Sequence, residues 1–516
     1  MGGLGKTTLA RKIYQNKEVQ RTFIARAWVC VSQQFNVKSV LQQILEQLVP
    51  DEKQIANMEQ RELVIKLNKV LRRKSCLIVI DDIWETDHWE ILKPSFPIGD
   101  VDCKILLTTR NEKIASEEYR YKLDFLTEDQ GLMSDELRHQ LETIGRQMAK
   151  KCGYLPLAVS VIGGSLRHKQ TLSEWEKVNE NIDVYLKQQG EGVGENKRVR
   201  QVLDLSYNAL PYYLKPCFLY LGCFPEDQEI YAEDLYLLWM AEGMISSEDK
   251  GNRETLRDVA ERYLSELAFR CMVQVKVPEC PSAYRKFESC RLHDLMRDLC
   301  LSKAEEEGFL KVIDFEEAKH NFPPISNIPR LAIRMNEGCF HDSNFNEREK
   351  LKHMRSLLIL RLSIMFFTKD RVTISNFNKF KFLRILILEF CIFEDGRSLL
   401  SEVGKLLHLR YLSLYGSRGV EELPVSIFNL PYLHTLNLDI DASDDTTLKL
   451  PNMICKMKRL RHLFLGHNCE SMDGEKLRLD GLNELETLEG FNSKHACAAD
   501  IPKLTNLRKL EIGWAE

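Results

Sequence analysis

The first eight residues, Met-Gly-Gly-Leu-Gly-Lys-Thr-Thr, contain most of a phosphate-binding loop. The full pattern is Gly-x-x-x-x-Gly-Lys-Ser/Thr, placed between a buried strand and a helix. Gly3 and Gly5 lie within the loop, and its backbone N–H groups, with that of Thr8, are predicted to surround a β-phosphate. Lys6 is predicted to contact the β- and γ-phosphates, and the Thr7 hydroxyl to bind magnesium. The alternative is a glycine-rich turn with an exposed lysine.

Two acidic residues follow the apolar run from Cys76 to Ile80. Such a run is typical of a strand that is buried on both faces of a parallel sheet. Asp81 is predicted to hold magnesium, directly or through water. Asp82 is the candidate catalytic residue, because it could orient a water molecule toward the γ-phosphate. The same acidic pair could instead cap a turn, but the loop upstream favours the nucleotide interpretation.

Two further candidates depend on their context. Arg110 ends the strand-like run that begins at Lys104, and its charge could stabilise a γ-phosphate. Taken alone, an arginine at a strand end is better explained by a surface ion pair. His293 is likewise more typical of a packed histidine than of a phosphate contact when no other residue supports the role.

The first quarter of the chain alternates between helical and strand patterns. Helices are predicted over Thr7 to Val19, Val40 to Leu48 and Arg61 to Leu71, and strands over Ala27 to Val31, Cys76 to Ile80 and Lys104 to Arg110. This alternation predicts a doubly wound α/β domain with its chemistry at the carboxyl ends of the strands. From about Asp135 to Ser206 the pattern is helical, with an interruption at Gly153 to Pro156.

The last part of the chain repeats the pattern Leu-x-x-Leu-x-Leu. Full copies begin at Leu383, Leu409, Leu433 and Leu460, a weaker copy begins at Leu485, and a copy that ends in Ile512 begins at Leu507; by subtraction the starts lie 26, 24, 27, 25 and 22 residues apart. This period is typical of leucine-rich repeats, in which each unit adds one strand to a curved sheet and its leucines to a continuous core. An amphipathic β-protein without repeats is the less favoured alternative.

Composition excludes several classes of protein. The chain has 516 residues, enough for about three or four domains. A formal net charge of -4 gives no reason to expect general binding to nucleic acid. Fifteen cysteines occur without any C-x-x-C pair, which is typical of reduced thiols and argues against structural zinc. Together with the lack of a secretory signal, reduced thiols favour a cytosolic or nuclear protein, and we expect a cytoplasmic one. No apolar run is long enough to cross a bilayer, so no transmembrane segment is expected.

These motifs, in this order, resemble plant disease-resistance proteins of the coiled-coil, nucleotide-binding (NB-ARC), leucine-rich-repeat type, and most of all the downy-mildew-resistance-like branch. The winged-helix motifs match well, whereas Tyr154 replaces a usual glycine and Leu292 a usual methionine. The segments that carry the resemblance are 23–33, 80–84, 104–110, 153–158, 217–227, 237–243 and 292–294.

The resemblance implies a multidomain fold with an α/β P-loop NTPase domain over 1–126 and a shortened helical domain over 127–195. A winged-helix domain over 196–320 follows, and then leucine-rich repeats over 321–516, which are expected to be incomplete at the C-terminus. It also implies an ADP/ATP switch with Mg²⁺, in which Pro156 contacts the adenine and His293 the β-phosphate. ATP hydrolysis would be at most slow. The implied partners are a pathogen effector or a guarded host protein, bound by the repeats, and further copies of the chain on activation; no nucleic acid is expected.

The chain departs from the family pattern at its start. The first loop glycine, the strand before it and the coiled-coil domain are missing, so we expect a product truncated at the N-terminus. The missing strand is central in P-loop domains of this type, so we also expect two inner strand edges without partners, at about 1–3 kcal/mol for each buried orphan group. The alternative function is therefore an interaction-only fragment with a vestigial nucleotide site, binding protein partners through its repeats.

Overall fold

The computed structural model describes residues 6–31, 35–50, 55, 58–83, 85–96, 103–109, 114, 138–167, 169, 171–187, 195–251, 254–278, 285–314, 328–335, 340–341, 353–361, 372–373, 377, 380–393, 395–440, 447–466 and 469–513. The chain forms two compact units. The first comprises residues 1–210, 269–273 and 292–299, and the second comprises 211–268, 274–291 and 300–516.

The first unit begins with a three-stranded parallel sheet. Its helices and strands are α1 (Lys6–Gln15), α2 (Lys17–Thr22), β1 (Ala25–Cys30), α3 (Val37–Leu48), α4 (Gln60–Leu71), β2 (Cys76–Ile83), α5 (Thr86–Leu92) and β3 (Cys103–Thr109). The strand order is β1-β2-β3. The expectation of two unpaired inner edges is wrong for these strands, because β2 pairs directly with β3 from Cys76 opposite Cys103 to Ile80 opposite Leu107.

Helices cover both faces of this sheet. On one face, Ala10 of α1 packs with Leu77 and Val79 of β2. On the other face, apolar residues of α3 and α4 pack against Ile78 and Ile80. Burial on both faces explains the uninterrupted apolar sequence of β2, since a strand with one solvated face would alternate apolar and polar residues.

The predicted helix from Thr7 to Val19 is divided in two at Asn16. Its side chain accepts hydrogen bonds from the N–H groups of Glu18 at 2.9 Å and Val19 at 3.4 Å. Asparagine at this position caps a helix N-terminus by satisfying donors that have no partner within the helix. A new helix therefore starts at Lys17, and the apolar periodicity alone could not show the break.

Four helices follow: α6 (Arg138–Lys151), α7 (Pro156–Leu166), α8 (Leu172–Lys187) and α9 (Glu195–Asn208). Between α6 and α7 the Tyr154 N–H donates to Ala149 O at 2.9 Å, and the Gly153 N–H donates to Lys150 O at 3.0 Å. These two bonds form a Schellman motif, which ends a helix with a residue in the left-handed region. Gly153 has φ +62° and Tyr154 has φ +53°. The predicted interruption at Gly153 to Pro156 is thus confirmed.

The second unit contains a winged-helix arrangement. Its helices are α10 (Leu214–Tyr220), α11 (Ala232–Glu242) and α12 (Leu256–Phe269), and its strands β4 (Ile230–Tyr231), β5 (Gln274–Lys276) and β6 (Ser289–Arg291) form an antiparallel sheet of order β4-β6-β5. Helix α13 (Asp294–Glu306) follows. The core of this part is rich in buried aromatic residues, including Tyr220, Tyr236 and Trp239.

The repeats form a nine-stranded parallel sheet of order β19-β18-β16-β14-β13-β12-β10-β8-β7. The strands of this region are β7 (Lys311–Asp314), β8 (Arg330–Met335), β9 (Phe340–His341), β10 (Ser356–Arg361), β11 (Val372–Thr373), β12 (Ile385–Leu388), β13 (Tyr411–Ser413), β14 (Thr435–Leu438), β15 (Leu448–Leu450), β16 (His462–Leu465), β17 (Cys469–Ser471), β18 (Thr487–Phe491) and β19 (Lys509–Ile512). Two short helices, α14 (Gly396–Val403) and α15 (Val425–Phe428), connect some of them.

The repeat leucines form one continuous core. The leucines of the copies that begin at Leu383, Leu409, Leu433 and Leu460 are all at most 5% exposed. Each fully buried leucine stabilises the fold by about 1.5–3 kcal/mol. In the last copy Leu510 and Ile512 are exposed. The predicted fold class is confirmed, and each period of the sequence adds one strand to the sheet.

A buried ion pair joins α11 to the first repeats within the second unit. Arg330 Nη2 donates to Glu242 Oε2 at 2.8 Å, and the side chain of Glu242 is fully buried. Ser356 Oγ donates to the other carboxylate oxygen. Arg384 Nη1 donates to Glu242 O at 2.5 Å, which places a cation at the C-terminus of α11. Every carboxylate oxygen of Glu242 therefore has a donor.

Candidate functional site

The buried carboxylate of Asp81 organises the candidate site. It lies near the carboxyl end of β2 and is 3% exposed. Thr7 Oγ1 donates to Asp81 Oδ1 at 3.0 Å, and Thr108 Oγ1 donates to the same oxygen. The thiol of Cys30, at the end of β1, lies 3.9 Å from Asp81 Oδ2. Since β1, β2 and β3 are parallel, their polar ends meet at one edge of the sheet.

Strand β2 changes its register next to this carboxylate. The pairing with β3 shifts between Ile80 and Ile83, and Asp82 has φ +56°. Few non-glycine residues adopt this left-handed backbone, although aspartate tolerates it better than most. The Asp82 N–H donates to Thr108 Oγ1 at 2.9 Å. Thr108 thus fixes both acidic residues, since its hydroxyl accepts from the Asp82 N–H and donates to the Asp81 carboxylate.

Helix α1 brings the loop residues to this edge. It begins at Lys6 and packs on β2 and β3, so Thr7 in its first turn reaches Asp81. Thr8 is the next residue of the same turn and is exposed. The predicted site residues Gly3, Gly5 and Arg110 lie outside the described residues.

His293 immediately precedes α13 and caps it. The Leu295 N–H donates to His293 Nδ1 at 3.3 Å. Because Nδ1 accepts this bond, the neutral ring carries its proton on Nε2. The imidazole is half-buried. In this tautomer the Nε2–H group of His293 can donate a hydrogen bond to an anionic oxygen.

Pro156 is the first residue of α7, directly after the Schellman motif. A proline is favoured there because the N–H that it lacks would have no partner inside the helix. Pro156 is half-buried, whereas Leu155 before it is 1% exposed. The proline therefore has a sufficient local reason to occupy this position, in addition to the ligand contact that the resemblance implies.

The structure brings Thr7 and Asp81 into direct contact, which is close enough for both oxygens to bind one cation. Sequence reasoning missed Thr108 and Cys30. The sequence contained a signal for Thr108, since it is the first polar residue after the apolar part of β3. The register of β2 and β3 then places it opposite the acidic end of β2.

The donor set fits a hard cation. A buried carboxylate and two hydroxyl groups supply oxygen ligands, which Mg²⁺ prefers, and they converge on one edge of the sheet. Within the residues that the structure describes, no group of three or more His, Cys, Asp or Glu side chains could hold a metal alone. The usual Mg²⁺ site has one or two protein ligands, which act together with substrate phosphates.

Three protein-family models match the chain. They are the NB-ARC domain over residues 1–137, the Disease resistance protein Winged helix domain over 223–300 and the Leucine-rich repeat region over 360–516. No helix among the residues described is long and apolar enough to cross a membrane.

Curated relatives match the chain from end to end. The probable disease resistance protein RXW24L of Arabidopsis thaliana is 37% identical over 100% of this chain and 57% of its own length. The probable disease resistance RPP8-like protein 4 of the same plant is 36% identical over 100% of this chain and 56% of its own length. The chain therefore spans slightly more than half the length of these relatives.

Proposed function

Because the chain is a homologue of the NB-ARC, leucine-rich-repeat disease-resistance proteins, we propose that it is a nucleotide-dependent switch in plant defence. The observation that carries the proposal is the contact between Thr7 and Asp81, 74 residues apart in sequence. ADP would hold one state and ATP another, and the two states would differ in how well the protein binds each nucleotide. Hydrolysis would be at most slow, because a switch needs long-lived states.

We assign each site residue a role in nucleotide binding. Thr7 and Asp81 would hold Mg²⁺, which supplies positive charge next to the phosphates, and Lys6 would add a point charge there. Asp82 would orient water. Four further residues and the loop glycines would complete the site: Gly3, Gly5 and Thr8 at the phosphates, Arg110 at the γ-phosphate, Pro156 at the adenine and His293 at the β-phosphate.

The repeats would recognise a pathogen effector or a guarded host protein, and activation would lead to a homo-oligomer. The match to a leucine-rich-repeat region supports protein recognition. We place this switch in the cytoplasm, because every described cysteine is a free thiol, as expected in a reducing compartment. The domain boundaries at 126, 195 and 320 belong to the same proposal.

Calorimetric titration of the full chain with ADP and Mg²⁺ tests the assigned site. We expect Lys6→Ala and Asp81→Asn each to weaken ADP binding at least about ten-fold, a loss of about 1.4 kcal/mol. Lys12→Ala is the matched control, because it removes the same charge from the exposed last turn of the same helix.

The control should leave the ADP affinity within about two-fold of the original. Equal effects of Lys6→Ala and Lys12→Ala would contradict the site, since a general loss of positive charge would then explain both. If the original chain binds no ADP at all, the switch proposal fails and an interaction-only protein remains.

A further inference from the structure

In five consecutive repeats, the residue just before the first buried position of the repeat is a flat side chain. We name this set the ring row. Its members are exposed, with 48% of Phe382 and 40% of Tyr432 accessible to solvent. The buried positions that follow them are Met354, Leu383, Leu409, Leu433 and Leu460. The ring row itself consists of His353, Phe382, His408, Tyr432 and Arg459.

Neighbouring members of the ring row stack on each other. The ring centroids of His353 and Phe382 are 6.3 Å apart with planes at 3°, and those of Phe382 and His408 are 5.6 Å apart with planes at 29°. His408 and Tyr432 are 6.3 Å apart with planes at 4°. The Arg459 guanidinium lies 5.1 Å from the Tyr432 centroid. The row is therefore a continuous stack across five repeats.

Backbone hydrogen bonds between repeats hold this spacing. The Arg410 N–H donates to Arg384 O at 2.8 Å, and the His434 N–H donates to Arg410 O at 2.9 Å. The Arg461 N–H continues the series by donating to His434 O at 2.8 Å. Each of these residues lies two positions after a ring-row member. The rings are thus carried on a rigid frame with one ring in each repeat.

Exposed lysines lie beside Phe382 and Arg459 of the ring row. Segments 380–383, 404–409, 429–433 and 456–461 contain no aspartate or glutamate, in a chain whose net charge is -4. Lys381, Lys456 and Lys458 are exposed in these segments. The positive edge ends in the next repeat, where Glu484 pairs with Arg461 at 3.1 Å. This local excess of cations complements an anionic partner.

The stacked arrangement of the rings favours a carboxylate-bearing partner over a nucleic acid. Nucleobases bind to proteins by stacking on free aromatic faces, but here each ring has a near-parallel neighbour at 5.6–6.3 Å between centroids, so part of each face is turned toward another ring. The row presents ring edges, which carry partial positive charge, together with imidazole and guanidinium N–H groups. Carboxylates are the natural complement of such edges. Alternate residues of an extended strand are about 6.6 Å apart, close to the 5.6–6.3 Å between rings.

We propose that the ring row is the docking edge for an extended acidic protein segment whose carboxylates lie on alternate residues. The segment would run across the repeats, with one carboxylate at each repeat. This inference rests on the proposed role of the repeats in protein recognition, and it specifies the chemistry of the partner.

Fluorescence anisotropy on the full chain tests the proposal with synthetic peptides. The probe is a labelled peptide with glutamate at every second position. Its control has the same composition with all glutamates consecutive. We expect the alternating peptide to bind at least about ten-fold more tightly than the control. Equal affinities would overturn the proposal, because unspecific charge attraction would explain them, and so would the absence of binding.

Variants test the position of the docking edge. His408→Glu and Arg459→Glu should each weaken binding of the alternating peptide at least about five-fold, whereas Lys449→Glu, the same kind of change at an exposed lysine off the row, should leave it within about two-fold. Arg459→Lys keeps the charge and removes the flat group, so it should also weaken binding. An equal effect of Lys449→Glu would overturn the assignment.

Two further measurements make the outcome unambiguous. The melting temperature of each variant should equal that of the original protein. If a substituted protein has lost its fold, Arg459→Lys replaces it in the comparison. Tighter binding of single-stranded DNA or of phosphatidylserine vesicles than of the alternating peptide would overturn the proposal. ADP affinity of the same proteins should not change, so a failure here is distinguished from a failure of the nucleotide switch.

Discussion

Glu242→Ala should locally destabilise the second unit more than any surface substitution. The change removes the acceptor of Arg330 and of Ser356, and leaves a guanidinium whose side chain is only 8% exposed without its carboxylate. Removing one member of a buried ion pair costs about 3–5 kcal/mol, because the remaining charge stays desolvated. The expected loss is therefore of that size, a large part of the stability of an ordinary domain.

Native-state hydrogen exchange of the peptide that covers α11 is the assay. Each 1.36 kcal/mol is a factor of ten in an equilibrium constant, so exchange through opening of α11 should accelerate roughly a hundred-fold to several-thousand-fold. Glu242→Gln should have a smaller effect, because it keeps an acceptor oxygen for Ser356.

Glu402→Ala is the control for this prediction. Glu402 forms an i,i+3 ion pair with Lys405, whose side chain is 54% exposed, and such surface pairs contribute only about 0.2–1 kcal/mol. The reasoning is refuted if Glu242→Ala accelerates exchange no more than Glu402→Ala does. The double change Glu242→Leu with Arg330→Met should recover most of the lost stability, since apolar replacement of a buried pair is often neutral.

Three further predictions concern the site, acid stability and one repeat turn. Thr108→Val should weaken Mg²⁺-ADP binding about ten-fold in calorimetry, because Asp81 loses a hydrogen-bond donor. It should also lower stability by about 0.5–1.5 kcal/mol, because the half-buried Asp82 N–H loses its acceptor. Unchanged values in both assays would contradict this prediction. Burial, reinforced by Arg461, lowers the pKa of His462 to about 3. The neutral imidazole therefore contributes fully to the free energy of unfolding above pH 6.5, and this contribution is lost by about 1.4 kcal/mol per pH unit as the pH falls toward 3. Urea titrations at pH 7 and 5 should show this loss, and His462→Gln should flatten the dependence of stability on pH. Gly490→Ala should lower the melting temperature of the protein more than Gly474→Ala does. Both glycines have a positive φ, but only at Gly490 would a Cβ meet Leu465 O, at 1.8 Å. Equal melting temperatures of the two variants would refute this prediction.

Local patterns predicted the elements well, whereas long-range pairing was harder to predict. The apolar run before Asp81 predicted β2, because a strand buried on both faces leaves an uninterrupted apolar sequence. The repeat leucines predicted the strands of the second unit for a similar reason. The pairing of β2 with β3 was predicted wrongly, because the family strand order was applied to it and nothing local in either strand fixes its neighbour.

The same limit applies to the side chains that carry the most energy. Arg330 and Glu242 are 88 residues apart in sequence, and neither stands in a pattern that predicts the other. Thr108 could have been found from the register of β2 and β3, but that register depends on the pairing that was predicted wrongly. Asn16 divides a helix through one side-chain contact that periodicity does not contain.

The packing of α11 against the repeat sheet determines which parts of that sheet remain accessible. From β8 to β13, the side chains that alternate with the leucine core are themselves buried, including Ser356, Ile385 and Ser413 at 0% exposure, whereas Glu511 on β19 is open to solvent. Among the described residues, substitutions on this side of the sheet should therefore disturb the fold less beyond β13 and along the ring row than from β8 to β13. The early strands are therefore buried on both faces, while the later strands and the ring row remain exposed to solvent.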